Sequence, residues 1–464
     1  MRNLALLMIF PLIALGQAST FKIEEEALLQ DALVSYYVAE ADSGTVLSAY
    51  QKSKNMAPAS VLKLFSTAVA LDELGPDYRQ ESTIYHSGNI SGETLIGDLV
   101  FDPNFNPTLG AMRFGENLTL ISTELLSFLS SKGIKSIQGK VKVLERVTVP
   151  ERIPRTWIWE DMGNYYGAGG GSVSWNENIF ELVFSSGAPG EPAKLIKTSP
   201  ELPFIQVDCQ VQASMIDRDL AYCFSRPGDD RISVSGTIPA HQKYFVVKAA
   251  LPQPALCLAH LLTKSLLKAG IMIQGDPEAI NRLPLNVETI GSFKSATVKE
   301  IVEQTNLNSV NFYAEALLEI AYQHSGSKDL KLDWFQYQLS QSFEVNTSLL
   351  FDASGLSRFN AVSSQQVVTL LRNTLAKDQR GVFENSLSVV GQSGTLKSLL
   401  RKTSANGFIK GKSGSMTGVR CYAGLVTAVS GKRYVFALML NNYEASYSGL
   451  KPLIEKFMLS LFEQ

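Results

Sequence analysis

Ser60 and Lys63 open an apolar run with helical spacing, Ser60-Val61-Leu62-Lys63. Three residues apart on a helix, the two side chains emerge on one face about one turn from each other. A serine hydroxyl is a weak nucleophile and needs an adjacent base, and a lysine amine becomes that base when burial or a nearby cation lowers its pKa. The N–H groups at a helix start also offer a cradle for an oxyanion. The spacing alone is weakly specific, because Ser-x-x-Lys recurs at Ser19, Ser265, Ser325 and Ser448, where surface serines near solvated lysines are the plain reading. Ser309-Val310-Asn311 adds a second hydroxyl and an amide, able to pass a proton and hold a carbonyl. It too has chance counterparts, at Ser53, Ser87, Ser174 and Ser404. Lys412-Ser413-Gly414 is sharper: a cation, a hydroxyl and an approachable backbone stand together beside a strand pattern. Alone it also reads as a solvated lysine followed by turn residues.

The elements that must position these groups follow from periodicity. Alternating residues around Asp42-Ser43-Gly44 predict a hairpin from Val34 to Tyr50, and apolar spacing after Pro58 predicts a helix from Ser60 to Gly75. From about Tyr85 to Ala249 the chain is rich in Gly, Pro, Ser and β-branched residues, interrupted by one helix near Leu118 to Lys132. This block reads as an inserted β-rich region, expected to form two small domains. Helical patterns return at Ala255 to Ala269, Val298 to His324, Trp334 to Phe343 and Ser363 to Ala376. Strands from Phe408, Val419 and Tyr434 then precede a terminal amphipathic helix, Lys451 to Phe462.

Composition narrows the function classes. The 464 residues are 45% hydrophobic and 19% charged, with a formal net charge of −2, which argues against a nucleic-acid partner held by bulk charge. His86, His241, His260 and His324 lie far apart with no second ligand at metal spacing, so no metal is expected and no cofactor is implied. Met1 to Thr20 combines Arg2, an apolar run from Leu4 to Leu15 and a Gly16-Gln17-Ala18 site, which reads as a signal peptide over 1–18. An exported protein, periplasmic or extracellular, is therefore expected, with no membrane span after cleavage. Export also invites pairing of the four cysteines. Cys209 and Cys223 lie in one β-rich stretch and are expected to be bridged, while Cys257 and Cys421 read as buried thiols.

A helical Ser-x-x-Lys, a Ser-x-Asn and a strand-borne Lys-Ser-Gly, in that order, are the arrangement of penicillin-recognising serine enzymes. The chain resembles the low-molecular-mass class C penicillin-binding proteins, the periplasmic D-alanyl-D-alanine carboxypeptidase/endopeptidase family. The resemblance runs from PASVLKLFSTAVALDELG through TWIWEDMGNYYGAGGGSVSWNEN and NLNSVNFYAEAL to DASGLSRFN, GTLKSLL and IKGKSGSMTGVRCYAGLV. The first two motifs are 249 residues apart (309 − 60) and the last two 103 (412 − 309). The long first gap, which holds the β-rich block, separates this family from class A β-lactamases.

The resemblance implies an α+β fold: a discontinuous transpeptidase-like catalytic domain, an antiparallel sheet flanked by helices, over 19–84 and 250–464, with 85–249 inserted. It implies that Ser60 forms an acyl-enzyme on peptidoglycan stem peptides, with Lys63 as base and Ser309 and Asn311 handling the proton and the substrate amide. Lys412, Ser413 and Gly414 are implied at the terminal carboxylate, and the N–H groups of Ser60 and Ser415 at the oxyanion. β-Lactams are implied as covalent inhibitors. Arg358 matches a substrate-contacting arginine, and Asp161 and Tyr166 match positions that recognise the peptide's amino-bearing side chain. The plain alternative for Asp161 and Tyr166 is a structural loop acid and a packing aromatic. Ser413 stands where many relatives have Thr, Ala353 where they often have Gly, and Gly169-Gly170-Gly171 departs from their usual sequence. Two other readings stay open: a β-lactamase or esterase of the same superfamily, and an inactive wall-binding paralogue. Against the first, no Glu-x-x-x-Asn spacing lies between Ser309 and Lys412.

Overall fold

Strands Val419–Thr427 and Arg433–Asn441 are apolar along almost their whole length and buried on both faces, as strands at the centre of a covered sheet must be. A computed structural model, describing residues 20–146, 152–347 and 349–464, places them in a six-stranded antiparallel sheet. Its order is Ser388–Val389, Ile409–Met416, Val419–Thr427, Arg433–Asn441, Leu33–Glu40, Val46–Tyr50. The two ends of the chain thus meet in one sheet. The predicted signal segment lies outside the described residues, among which no helix is long and apolar enough to cross a membrane.

Alternation along these strands sorts the side chains between two layers. Tyr36, Val38, Phe436 and Leu438 face Leu450, Ile454, Phe457 and Met458 of the helix Tyr447–Phe462. On the other face, Ala39, Ala423, Ala437 and Met439 pack under the helix Lys63–Leu74. Helices Asn311–Ser325, Lys331–Phe343 and Ser364–Lys377 complete that layer. Small residues on the strands beneath Leu64, Phe65 and Ala68 let this helix sit close to the sheet.

The predicted helix from Val298 to His324 is two helices, Val298–Asn308 and Asn311–Ser325, broken where Ser309 adopts φ 60°. The break turns Ser309 and Asn311 toward the start of the helix Lys63–Leu74 instead of burying them in a continuous rod.

The inserted region carries the remaining sheets. Strand Glu81–Ser87 pairs antiparallel with Val287–Lys294, the edge strand of a five-stranded sheet, so the chain enters and leaves the block at adjacent points. A five-stranded and a four-stranded sheet pack with helices Leu118–Ser131 and Pro254–Lys268. Two three-stranded sheets follow, built from strands between Ile179 and Ala250. One apolar cluster runs through all of them, from Ile84 to Phe293. The expected boundary at 249/250 therefore falls short: helix Pro254–Lys268 and the strands up to Lys294 pack with the insert. In sequence they look like any amphipathic segment of the catalytic domain, and only their sheet partners reveal where they belong.

The Cys209–Cys223 bridge is not formed, and all four cysteines are free thiols. The reason is strand order. Gln206–Ser214 and Leu220–Phe224 flank the central strand Arg231–Pro239, and both cysteines are in register with Val234. Two strand spacings, about 9.5 Å, separate them, beyond the ~7 Å Cα reach of a disulfide.

Candidate active site

Ser60 sits in a single 3₁₀ turn, Ala59–Leu62, that feeds directly into the helix Lys63–Leu74. Ala59, before it, is held at φ 45°, a strained conformation for a residue with a Cβ. Two glycines make this turn possible. A Cβ on Gly355, itself at φ 82°, would fall 1.9 Å from the Ala59 carbonyl oxygen. One on Gly414 would fall 2.5 Å from the Pro58 oxygen and 3.0 Å from the Ser60 nitrogen. Gly414 thus lets the strand Ile409–Met416 press its backbone against the turn that carries Ser60.

The three motifs converge. Lys63 Nζ donates to Ser60 Oγ at 2.9 Å, to Asn311 Oδ1 at 2.5 Å and to the Ser354 carbonyl at 2.7 Å. As an ammonium it uses all three N–H bonds on these partners, and the side chain is fully buried. Burial lowers the Lys63 pKa to about 7, against the opposing pull of Asp352 and Glu315. An amine so tuned is neutral in a large fraction of molecules near neutral pH, as a general base requires. Asn311 is fixed from its other end, Nδ2 donating to the Tyr166 carbonyl at 2.7 Å. Lys412, also fully buried, donates to Ser309 Oγ at 2.7 Å and to the Ser413 carbonyl at 2.8 Å. Burial first, and then Lys63, push its pKa well down. Its amine lies behind Ser309 and reaches the cleft through that hydroxyl. Ser413 is half-buried on the same strand, and Ser415 is exposed at the cleft's edge.

A cavity of about 320 Å³ brings Ser60, Ser309, Asn311 and Ser415 together with Asp161, Tyr166 and Arg358. The side-chain candidates therefore line the same cavity as Ser60. Burial raises the Asp161 pKa, while Arg358 and the Tyr166 hydroxyl work to lower it. Tyr166 is raised by burial and by Asp161 and Tyr222. A second cleft of about 1040 Å³ opens beyond Ser309 and Asn311, sharing Tyr165 and Tyr166 with the first and walled by Met112, Trp175 and Val246 of the insert. Among the described residues no cluster of His, Cys, Asp and Glu is placed to hold a metal ion.

The supporting groups were not singled out in the sequence. Asp352 collects the N–H groups of Gly355 and Ser357, the Asn360 amide and the Trp157 indole, at 2.6 to 2.8 Å, and so shapes the loop that carries Arg358. Glu315 accepts from Ala353 and Ser354 N–H at 3.1 and 2.9 Å. Both acids stand inside the quoted segments DASGLSRFN and NLNSVNFYAEAL, and buried acids four and forty-one residues past Asn311 have no local spacing that marks them.

The model of the family described as "D-Ala-D-Ala carboxypeptidase 3 (S13) family" matches residues 20–454. A D-alanyl-D-alanine carboxypeptidase of Actinomadura sp. (strain R39) is 26% identical over 93% of this chain and 81% of its own length. The D-alanyl-D-alanine carboxypeptidase DacB of Haemophilus influenzae is 23% identical, covering 90% of this chain and 87% of its own. In fold, the chain is similar to the crystal structure of penicillin binding protein 4 (dacB) from Haemophilus influenzae, with a TM-score of 0.80 at 21% identity, over 96% of this chain and 100% of that one. The α+β catalytic fold with its β-rich insertion is therefore shared. The chain belongs to the D-Ala-D-Ala carboxypeptidase 3 (S13) family.

Proposed function

We propose that the site hydrolyses the terminal D-Ala-D-Ala bond of peptidoglycan stem peptides through an acyl-enzyme on Ser60. The observation that carries this reading is the fully buried Lys63 amine, lowered to about pKa 7 and 2.9 Å from Ser60 Oγ. Lys63 takes the hydroxyl proton as Ser60 Oγ bonds to the penultimate D-alanine carbonyl. The N–H groups of Ser60 and Ser415 receive the oxyanion, and Gly414 permits the strand to approach that closely. The leaving nitrogen takes a proton through Ser309, which Lys412 backs at 2.7 Å, and water then cleaves the ester.

Burial and Lys63 disfavour Lys412 as a cation. A substrate carboxylate beside Ser309 and Ser413 supplies the counter-charge that restores it. Asp161 and Tyr166 line the cavity with Ser60, where an acid and a phenol suit an amino-bearing stem side chain, and Arg358 beside them offers donors to a substrate oxygen. The larger cleft beyond Ser309 gives the leaving side room for more than one residue, which fits endopeptidase cleavage of cross-links alongside carboxypeptidase action. A crystal structure of Haemophilus influenzae penicillin binding protein 4 is complexed with a β-lactam. The same chemistry makes β-lactams covalent inhibitors here, and action on the wall places the protein outside the cytoplasm.

Fluorescent penicillin should label the wild type and leave Ser60→Ala unlabelled, and mass spectrometry of muropeptides should show loss of one terminal alanine. Persistent labelling of Ser60→Ala, or muropeptides unchanged by active wild-type protein, overturns the reading.

A further inference from the structure

Glu315 lies inside the helix Asn311–Ser325, one turn after Asn311, and its side chain points into the protein rather than into either cleft. It is 7% exposed. A buried carboxylate is costly unless its oxygens are used, and one oxygen here accepts two consecutive backbone N–H groups, those of Ala353 and Ser354. The same two residues hold the nucleophile helix with their carbonyls. Ala353 O accepts from Ser66 Oγ at 2.9 Å, and Ser354 O accepts from Lys63 Nζ at 2.7 Å. Two hydrogen bonds and one residue, Ser354, thus connect Glu315 to the amine beside Ser60.

We propose that Glu315 is a positioning residue for the acylation reaction: it pins the Ala353–Ser354 turn so that its carbonyl fixes the Lys63 amine, and it sets a negative charge behind that amine. The inference rests on the reading of Lys63 as the base for Ser60. It assigns a function to the seventh residue of Ser309-Val-Asn-Phe-Tyr-Ala-Glu315, beyond the Ser-x-Asn motif itself.

The electrostatics run in one direction. Asp352 and Glu315 are the acids that favour the Lys63 ammonium, and Lys412 is the second buried amine coupled to it. Burial, followed by Asp352, raises Glu315 to about 7, while Lys331 and the two N–H donors oppose the rise. Lys331 also pairs with Glu319 at 2.7 Å. Removing the Glu315 charge makes the Lys63 ammonium less favourable, so the amine becomes neutral at lower pH. Glu315→Gln keeps an acceptor oxygen for the turn and removes the charge. Lys331→Met leaves the turn untouched but withdraws the cation that keeps Glu315 ionised, so it acts in the same direction from outside the site.

The test is the pH dependence of the second-order rate of Ser60 acylation by penicillin. Both variants should move the acid limb of the profile to lower pH, Glu315→Gln by about half a unit or more and Lys331→Met by less. A merely structural role lowers the rate at every pH and leaves the midpoint in place. Wild-type profiles reproduced by both variants overturn the inference. Should Glu315→Gln fail to fold, Lys331→Met decides alone: a downward shift supports the positioning role and an unmoved midpoint refutes it. Absence of wild-type acylation at Ser60 would instead remove the functional reading on which the inference stands.

Discussion

Lys63 has little choice of geometry, because its amine is held among Ser60 Oγ, Asn311 Oδ1 and the Ser354 carbonyl, and once neutral it can keep its two N–H bonds to Asn311 and Ser354 while its lone pair meets Ser60. Its protonation state is therefore what pH can change. With the amine lowered to about 7, the proton-accepting form grows as pH rises through that value. Acylation by penicillin should accordingly rise from pH 6 to 8 by about tenfold, measured as a second-order rate; a flat profile over that range contradicts the assignment of the base. Lys63→Arg keeps a cation and donors but stays protonated. It should lose about 10²-fold to 10⁴-fold in the same rate. Ser60, Lys63, Ser309, Asn311 and Lys412 were legible in the sequence because each belongs to a short motif whose residue types carry the chemistry. Asp352 and Glu315 were not, since their effect on Lys63 acts across 289 and 252 residues of chain (352 − 63, 315 − 63) and exists only once the loop has folded over the nucleophile helix.

At the scale of elements, the site depends on how closely two backbones approach. The strand Ile409–Met416 can abut the Ala59–Leu62 turn because Gly414 has no Cβ to meet the Pro58 oxygen. Gly414→Ala should push the strand away from Ser60 and weaken the oxyanion cradle. The expected loss is about 10²-fold or more in acylation, the magnitude seen when one such donor is removed, with a smaller change in melting temperature. Equal acylation by the alanine variant would show that the strand does not help form the cradle. Element order also explains the failed cysteine expectation. A sequence shows that two strands are near in the chain, but not that a third, Arg231–Pro239, inserts between them. Four thiols should react with a maleimide in denaturant without prior reduction, and a reductant should leave the melting temperature unchanged; two reacting thiols would mean the bridge forms after all.

The whole molecule joins its two regions through the site itself. Strands Glu81–Ser87 and Val287–Lys294 bring the insert's ends side by side, as an insertion into a finished domain requires. The pattern of the β-rich block disclosed that an insertion exists. Its far limit stayed hidden, because helix Pro254–Lys268 has the same amphipathic spacing whichever core it joins. We propose residues 20–80 and 295–464 as the catalytic unit. Across the divide, the Tyr166 carbonyl orients Asn311, Glu177 accepts from the Tyr313 hydroxyl at 3.0 Å, and the Trp157 indole donates to Asp352 at 2.8 Å. Residues outside the catalytic unit thus help build its amide and its loop. The last contact separates this coupling from simple tethering. Trp157→Phe keeps an aromatic ring but leaves a buried carboxylate one donor short, a loss of about 1–3 kcal/mol. If the two regions work as one structure, this change on the insert side should lower both the melting temperature and the rate of penicillin acylation at Ser60. A variant that melts earlier yet acylates at the wild-type rate would show that the Asp352 loop keeps its catalytic shape without the insert's indole.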